Sequence, residues 1–147
     1  MIELAVAIEL ECAGLYEVFA RCFQGRSEMV YFWRNYAEAE RYHAASIRIL
    51  QATFSLAGEG DMDAAPVRAF LEELRATRRQ YEQPAALPTI QQALAIARRV
   101  EESSEELHGR TQLLIGRPEF DDLFAKMAEE DRVHRDMLAA AEARWAA

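Results

Sequence analysis

The chain has 147 residues, 51% of them hydrophobic and 29% charged, with a formal net charge of −8. That balance excludes a disordered chain and argues against a nucleic-acid partner, which needs a basic face. The length suits a single domain over 1–147, large enough to bury roughly 70% of its unfolded surface without disulfide staples.

Gly (6) and Pro (4) are few and fall at intervals, which predicts helices separated by breakers. The first helix covers 2–23. Gln24-Gly25-Arg26 closes it, with Gly25 placed as the C′ residue. Ser27 is placed to cap a second helix that runs to about Leu56 and stops at Ala57-Gly58-Glu59-Gly60. A loop reaches Pro66. A shorter helix follows to Tyr81 and is stopped by the region of Pro84 and Pro88. Thr89 is placed to cap a helix over 90–115. Gly116-Arg117-Pro118 breaks the chain, and a last helix covers 119–145. No strand-like alternation occurs. The expected fold is all-α: two antiparallel pairs of long helices, joined by a long helical crossover into a four-helix bundle.

No uncharged run approaches the roughly 18 apolar residues of a membrane span, so no membrane partner is expected. Met1-Ile2-Glu3-Leu4 has no basic region ahead of an apolar run, so no secretory leader is expected. Cys12 and Cys22 lie ten apart in one helix, about 15 Å at the helical rise, too far to bridge. Reduced thiols suit a cytoplasmic location. The absence of C-x-x-C argues against a zinc ribbon or a four-cysteine iron site.

Helical spacing sorts the side chains into stripes. The first helix offers Ala5, Ile8, Glu9, Cys12, Leu15, Tyr16, Phe19 and Phe23. The second offers Phe32, Trp33, Tyr36, Glu40, His43, Ile47, Leu50 and Phe54. The helix over 90–115 offers Ile90, Leu94, Ala97, Glu101, Ser104, His108 and Ile115. The last offers Phe120, Phe124, Met127, Asp131, His134, Leu138, Ala141 and Trp145. Glu3, Glu11 and Glu17 fall off the first stripe. Glu102 aligns with Arg98, whereas Glu101 aligns with Leu94 and Ala97.

Four carboxylates therefore interrupt otherwise apolar seams that carry no Lys or Arg. An unpaired carboxylate in a dry interior is very costly, so four together must protonate, hydrate or neutralise a cation. Two divalent ions carry about the matching charge. Imidazole with carboxylate suits iron, manganese or zinc better than calcium. The spacing fits. Glu40-Arg41-Tyr42-His43 and Asp131-Arg132-Val133-His134 place an acid and a histidine three apart on one face. Glu9 precedes Glu40 by 31 residues and Glu101 precedes Asp131 by 30, so each half repeats the same pattern. With 25 acids in 147 residues, an acid three before a given histidine arises by chance about one time in six, so the stripe positions and matched upstream acids carry the signal.

Ala7-Ile8-Glu9-Leu10-Glu11-x-x-Gly14-Leu15-Tyr16, followed by Tyr36-Ala37-Glu38-Ala39-Glu40-x-x-His43, resembles the ferritin-like superfamily, specifically rubrerythrin-type diiron domains. The resemblance covers about 2–145. It implies two iron ions, with manganese or zinc as alternatives. Glu40 and Asp131 would bridge them, Glu9 and Glu101 would be terminal ligands, and His43 and His134 would complete the two sides. It implies reaction with O2 or H2O2 of peroxidase or ferroxidase type, an external electron donor or Fe(II) itself as the electron source, and a homodimer. The chain departs from the pattern in two places. Position 131 is Asp rather than the usual Glu, which leaves Glu130, four before His134, as an alternative ligand. Ser104 stands where rubrerythrins carry a second Glu, although Glu102 and Glu105 share the spacing in a shifted register. No rubredoxin domain is expected. The competing classes are a non-catalytic metal carrier or sensor and a metal-free interaction module.

Tyr16 and His108 each follow an upstream acid by seven residues. Each is placed either to pack in the core or to hydrogen-bond a metal ligand. Phe32, Trp33, Tyr36 and Phe54 are expected to pack, Met127 and Met137 to fill gaps, and Cys12 to act as a small apolar group. Arg75, Arg78 and Arg79, beside Glu72 and Glu73, are expected to form a solvated face.

Overall fold

A computed structural model describes residues 1–54, 64–83, 85–115 and 117–145. The expected breakers Ala57-Gly58-Glu59-Gly60, Pro84 and Gly116, the helix end at Leu56 and the Ile115 side chain lie outside the described part. The structure is all-α. Its helices are α1 (Ile2–Cys22), α2 (Ser27–Phe54), α3 (Ala65–Tyr81), α4 (Ile90–Ile115) and α5 (Pro118–Trp145). Among the described residues there is no strand, and no helix is long and apolar enough to cross a membrane.

The helix ends follow backbone chemistry. Thr89 and Gln92 form a reciprocal capping box: Gln92 N–H donates to Thr89 Oγ1 at 3.2 Å and Thr89 N–H donates to Gln92 Oε1 at 2.8 Å. The start of α2 differs from expectation. Ser27 is already helical, and the Arg26 carbonyl accepts from Met29 and Val30. Gly25 does not take the left-handed conformation of a C′ glycine. Instead α1 ends through Phe23 N–H to the Phe19 carbonyl and Gln24 N–H to the Arg21 carbonyl, and the turn closes with Arg26 N–H to the Phe23 carbonyl.

The tight turn makes α1 and α2 antiparallel, and the closest packing lies within that hairpin and within the α4–α5 hairpin. Sparser contacts join α2 to α5 and α1 to α4, so the assembly is bundle-like. Helix α3 lies along α1, burying Val67, Leu71 and Leu74. Gly14 makes room for it: a Cβ there would meet Arg78 Nη1 at 2.7 Å. Arg75 pairs locally with Glu72 as expected, but Arg75 and Arg78 also reach Glu11 on α1, at 3.5 and 3.2 Å. The arginine face is thus partly a helix–helix contact rather than wholly solvated.

Two apolar layers flank a polar one. One layer holds Ile8, Cys12, Tyr16, Phe19, Trp33, Tyr36, Leu94, Ala97 and Leu138. The other holds Ala5, Val6, Ala44, Ile47, Phe120, Phe124 and Met127. Each fully buried large apolar side chain contributes about 1.5–3 kcal/mol. The layers therefore supply the stability that a dry polar layer costs, at several kcal/mol per buried ion. Two packing expectations are corrected. Phe54, the last residue of α2, stands beyond the layer of Ile47 and Leu50 and is exposed, and Met137 is also exposed.

Candidate metal centre

All four long helices contribute to the polar layer. On α1, Glu9 falls between Val6 and Cys12; on α2, Glu40 and His43 fall between Tyr36 and Ile47. On α5, Asp131 and His134 fall between Met127 and Leu138. Glu9, Glu40, His43, Glu101, His108 and Asp131 are all buried, and His134 is nearly so. The off-stripe Glu102 is exposed.

The geometry gathers two overlapping triads. Glu9, Glu40 and His43 offer ligand atoms within 4.8 Å of one another, and so do Glu40, Glu101 and His134. Glu40 belongs to both. Its Oε2 lies 3.3 Å from His43 Nδ1 and its Oε1 lies 3.7 Å from His134 Nδ1. Glu9 Oε2 lies 3.3 Å from His43 Nδ1, and Glu101 Oε2 lies 3.1 Å from His134 Nδ1. Both imidazoles thus turn Nδ1 toward the carboxylates.

Asp131 is fully buried but joins neither triad. Its arm is one methylene shorter than that of Glu, and its Oδ2 lies 2.8 Å from His108 Nδ1 without the alignment of a hydrogen bond. His108 Nε2–H donates to Glu9 Oε1 at 2.9 Å. Glu130 is half-exposed and accepts from His43 Nε2–H at 2.7 Å. Tyr16 Oη donates to Glu101 Oε1 at 2.5 Å while its ring stacks on Trp33, so it both packs and holds a carboxylate. His108 likewise holds Glu9.

Burial and charge set the protonation of this layer. Burial pushes Glu40 up, and the charge of Glu101 pushes it further despite His43. Burial also raises Glu101, against the pull of His134 and Tyr16. Glu9 is the exception: burial would raise it, but His108 and His43 hold it below the usual carboxylate range. Burial disfavours a charged His43, yet Glu40 and Glu9 push it up to about 12. His108, buried between Glu9 and Asp131, is pushed up to about 10. Burial and the neighbouring carboxylates keep the Cys12 thiol and the Tyr16 hydroxyl protonated.

The donors suit a cation. Glu9 Oε2 and both oxygens of Asp131 are buried without a hydrogen-bond partner. A buried acceptor left so costs about 1–3 kcal/mol, more when charged, and a metal ion removes that cost. Two contacts were not legible from spacing. Tyr36, assigned to packing, also donates from Oη to the His134 carbonyl at 2.7 Å and lays its ring on His134 with centroids 4.6 Å apart. Its position four before Glu40 was the available signal. The bond from His43 to Glu130 crosses 87 residues and has no local signature.

A cavity of about 430 Å³ opens on this layer between α2 and α5, lined by Asn35, Glu38, Ala39, Tyr42, His43, Glu130 and His134. No family model, curated protein or solved structure matches the chain, so the reading of the centre rests on its own residues.

Proposed function

We propose that this chain is a ferritin-like, rubrerythrin-type diiron protein. In this reading the long helices form a four-helix bundle with α3 as its crossover, two iron ions sit in the polar layer, and the reaction is with O2 or H2O2, of peroxidase or ferroxidase type. The observation that carries the reading is Glu40, whose two oxygens face two separate histidines from between two triads. A carboxylate so placed could serve two ions at once. Charge arithmetic supports it: four buried carboxylates match two divalent cations.

Iron, when bound, supplies the redox chemistry that no side chain here can. Glu9, Glu40, His43, Glu101 and His134 would hold it, with Asp131 able to join by a small side-chain movement. The chain's own task is geometry and exclusion. Tyr16 steadies Glu101, His108 steadies Glu9, and Glu130 steadies His43. Tyr36, Trp33 and Phe124 keep the flanking layers dry. The cavity beside His134 and His43 admits a small oxidant. Manganese or zinc in place of iron, an external electron donor, a cytoplasmic setting and a homodimer belong to the same reading.

The test is elemental analysis of protein purified without chelator and then reconstituted anaerobically with Fe(II). Two irons per chain are expected, followed by accelerated consumption of O2 or H2O2. Iron well below one per chain overturns the reading. Two irons without turnover would mark a carrier.

A further inference from the structure

The two halves of the centre are not supported alike. His43 turns Nδ1 to Glu9 and Glu40, and its far nitrogen Nε2 donates to Glu130 at 2.7 Å. A carboxylate behind a ligand imidazole fixes its tautomer and orientation and makes the opposite nitrogen more basic. His134 turns Nδ1 to Glu101 and Glu40 in the same way. Among the described residues, however, His134 pairs with no carboxylate besides Glu101 and Glu40, both met through Nδ1, so it has no counterpart of Glu130.

The difference follows from register. Glu130 immediately precedes the Asp131-x-x-His134 motif on α5 and backs the histidine of α2. The residue that immediately precedes the Glu40-x-x-His43 motif on α2 is Ala39. Both positions line the cavity that touches His43 and His134. Where one motif carries a carboxylate for the opposite histidine, the other carries a methyl group. The His134 side chain is also the more open, 12% exposed against 2% for His43.

We propose that the two halves bind divalent first-row metals unequally: the Glu9–Glu40–His43 half fills first and tightly, the Glu40–Glu101–His134 half second and weakly, and Glu130 is the positioning residue that makes the difference. This rests on the metal-binding reading above. The weaker, more open half is then the one that exchanges its ion through the cavity.

The test is anaerobic titration of the metal-free full-length chain with Co(II), followed by calorimetry and visible absorption. Sharing Glu40 would separate two binding steps even in an even-handed centre, so comparison of single-half variants decides. His134→Ala is expected to keep the first step near its wild-type affinity, and His43→Ala to bind at least ten-fold more weakly. Glu130→Gln, at a half-exposed position that leaves the helical signal intact, is expected to weaken the first step by about 10- to 100-fold. The exchange Ala39→Glu with Glu130→Ala is expected to move the tight step to the His134 half. Equal affinities in the two single-half variants, or an unmoved first step in Glu130→Gln, would overturn the proposal while leaving the metal centre standing. No Co(II) bound by the wild type would overturn both.

Discussion

Asp131 Oδ2 lies 2.8 Å from His108 Nδ1, and neither residue reaches solvent. With Glu9 on the other ring nitrogen, His108 stands between two carboxylates from two different helices. Its position in the polar layer is therefore electrostatic as well as steric.

The first prediction concerns pH. His108 is raised from its ordinary value of 6.5 to about 10 in the folded chain. A raised histidine binds its proton more tightly folded than unfolded. Its contribution to stability is complete below about pH 6.5 and is lost as pH rises through about 10. The metal-free chain should lose thermal stability between pH 7 and 10, and His108→Gln should flatten that slope. Melting curves with chelator present check this; parallel slopes would count against it.

Metal binding should release protons. His43 is pushed up to about 12 by Glu40 and Glu9, and Glu40 is itself raised by burial and by Glu101. A cation at Nδ1 must displace a proton from this group. Metal affinity should therefore rise with pH between 6 and 8. Calorimetry in buffers of different ionisation enthalpy should give at least one proton released per chain; zero would contradict the protonation described here.

Glu40→Gln should remove both ions, because both triads use it, whereas Glu101→Gln should remove one. Metal-free Glu40→Gln should also be more stable than metal-free wild type, by about 1 kcal/mol or more, since burial and Glu101 hold this carboxyl above its ordinary range and an amide escapes the cost of that shift. Metal content and denaturant midpoints read the two effects separately. Equal metal loss in both variants would argue against a shared Glu40.

Tyr16→Phe keeps the ring against Trp33 and deletes the hydroxyl that donates to Glu101. The metal-free chain should lose about 1.5–3 kcal/mol, the range for a hydrogen bond to a charged group. Bound metal should recover part of this by occupying Glu101. A denaturation midpoint unchanged in the metal-free variant would mean that the contact contributes nothing.

The helices were legible because breakers are sparse and the apolar period is regular. Thr89 was placed at a helix start, and it caps the helix, with Gln92 returning the bond. The stripes placed Glu9, Glu40, His43, Glu101 and His134 in one layer because a helix fixes which residues share a face. Less was legible wherever chain packing decided. Gly25 was read as a left-handed cap, but ordinary backbone bonds close the turn. Phe54 continued the stripe but outran the neighbouring layer. Asp131 shared the motif spacing of Glu40, yet its shorter arm leaves it beside His108. The reach from Glu130 to His43 depends on how α5 lies against α2, which no local pattern encodes.

The α1–α2 hairpin carries Glu9, Glu40 and His43, and the α4–α5 hairpin carries Glu101, Asp131 and His134, while packing between the hairpins is sparser than within them. Ions held in that layer would act as a clasp. Stripping them would unfasten one hairpin from the other before either lost its own helices. Hydrogen exchange should register this as early opening along the seam between α2 and α5, with the α1–α2 turn still closed. The cation would then be a structural fastener as well as a reagent, and the chain's cohesion would follow the metal supply around it.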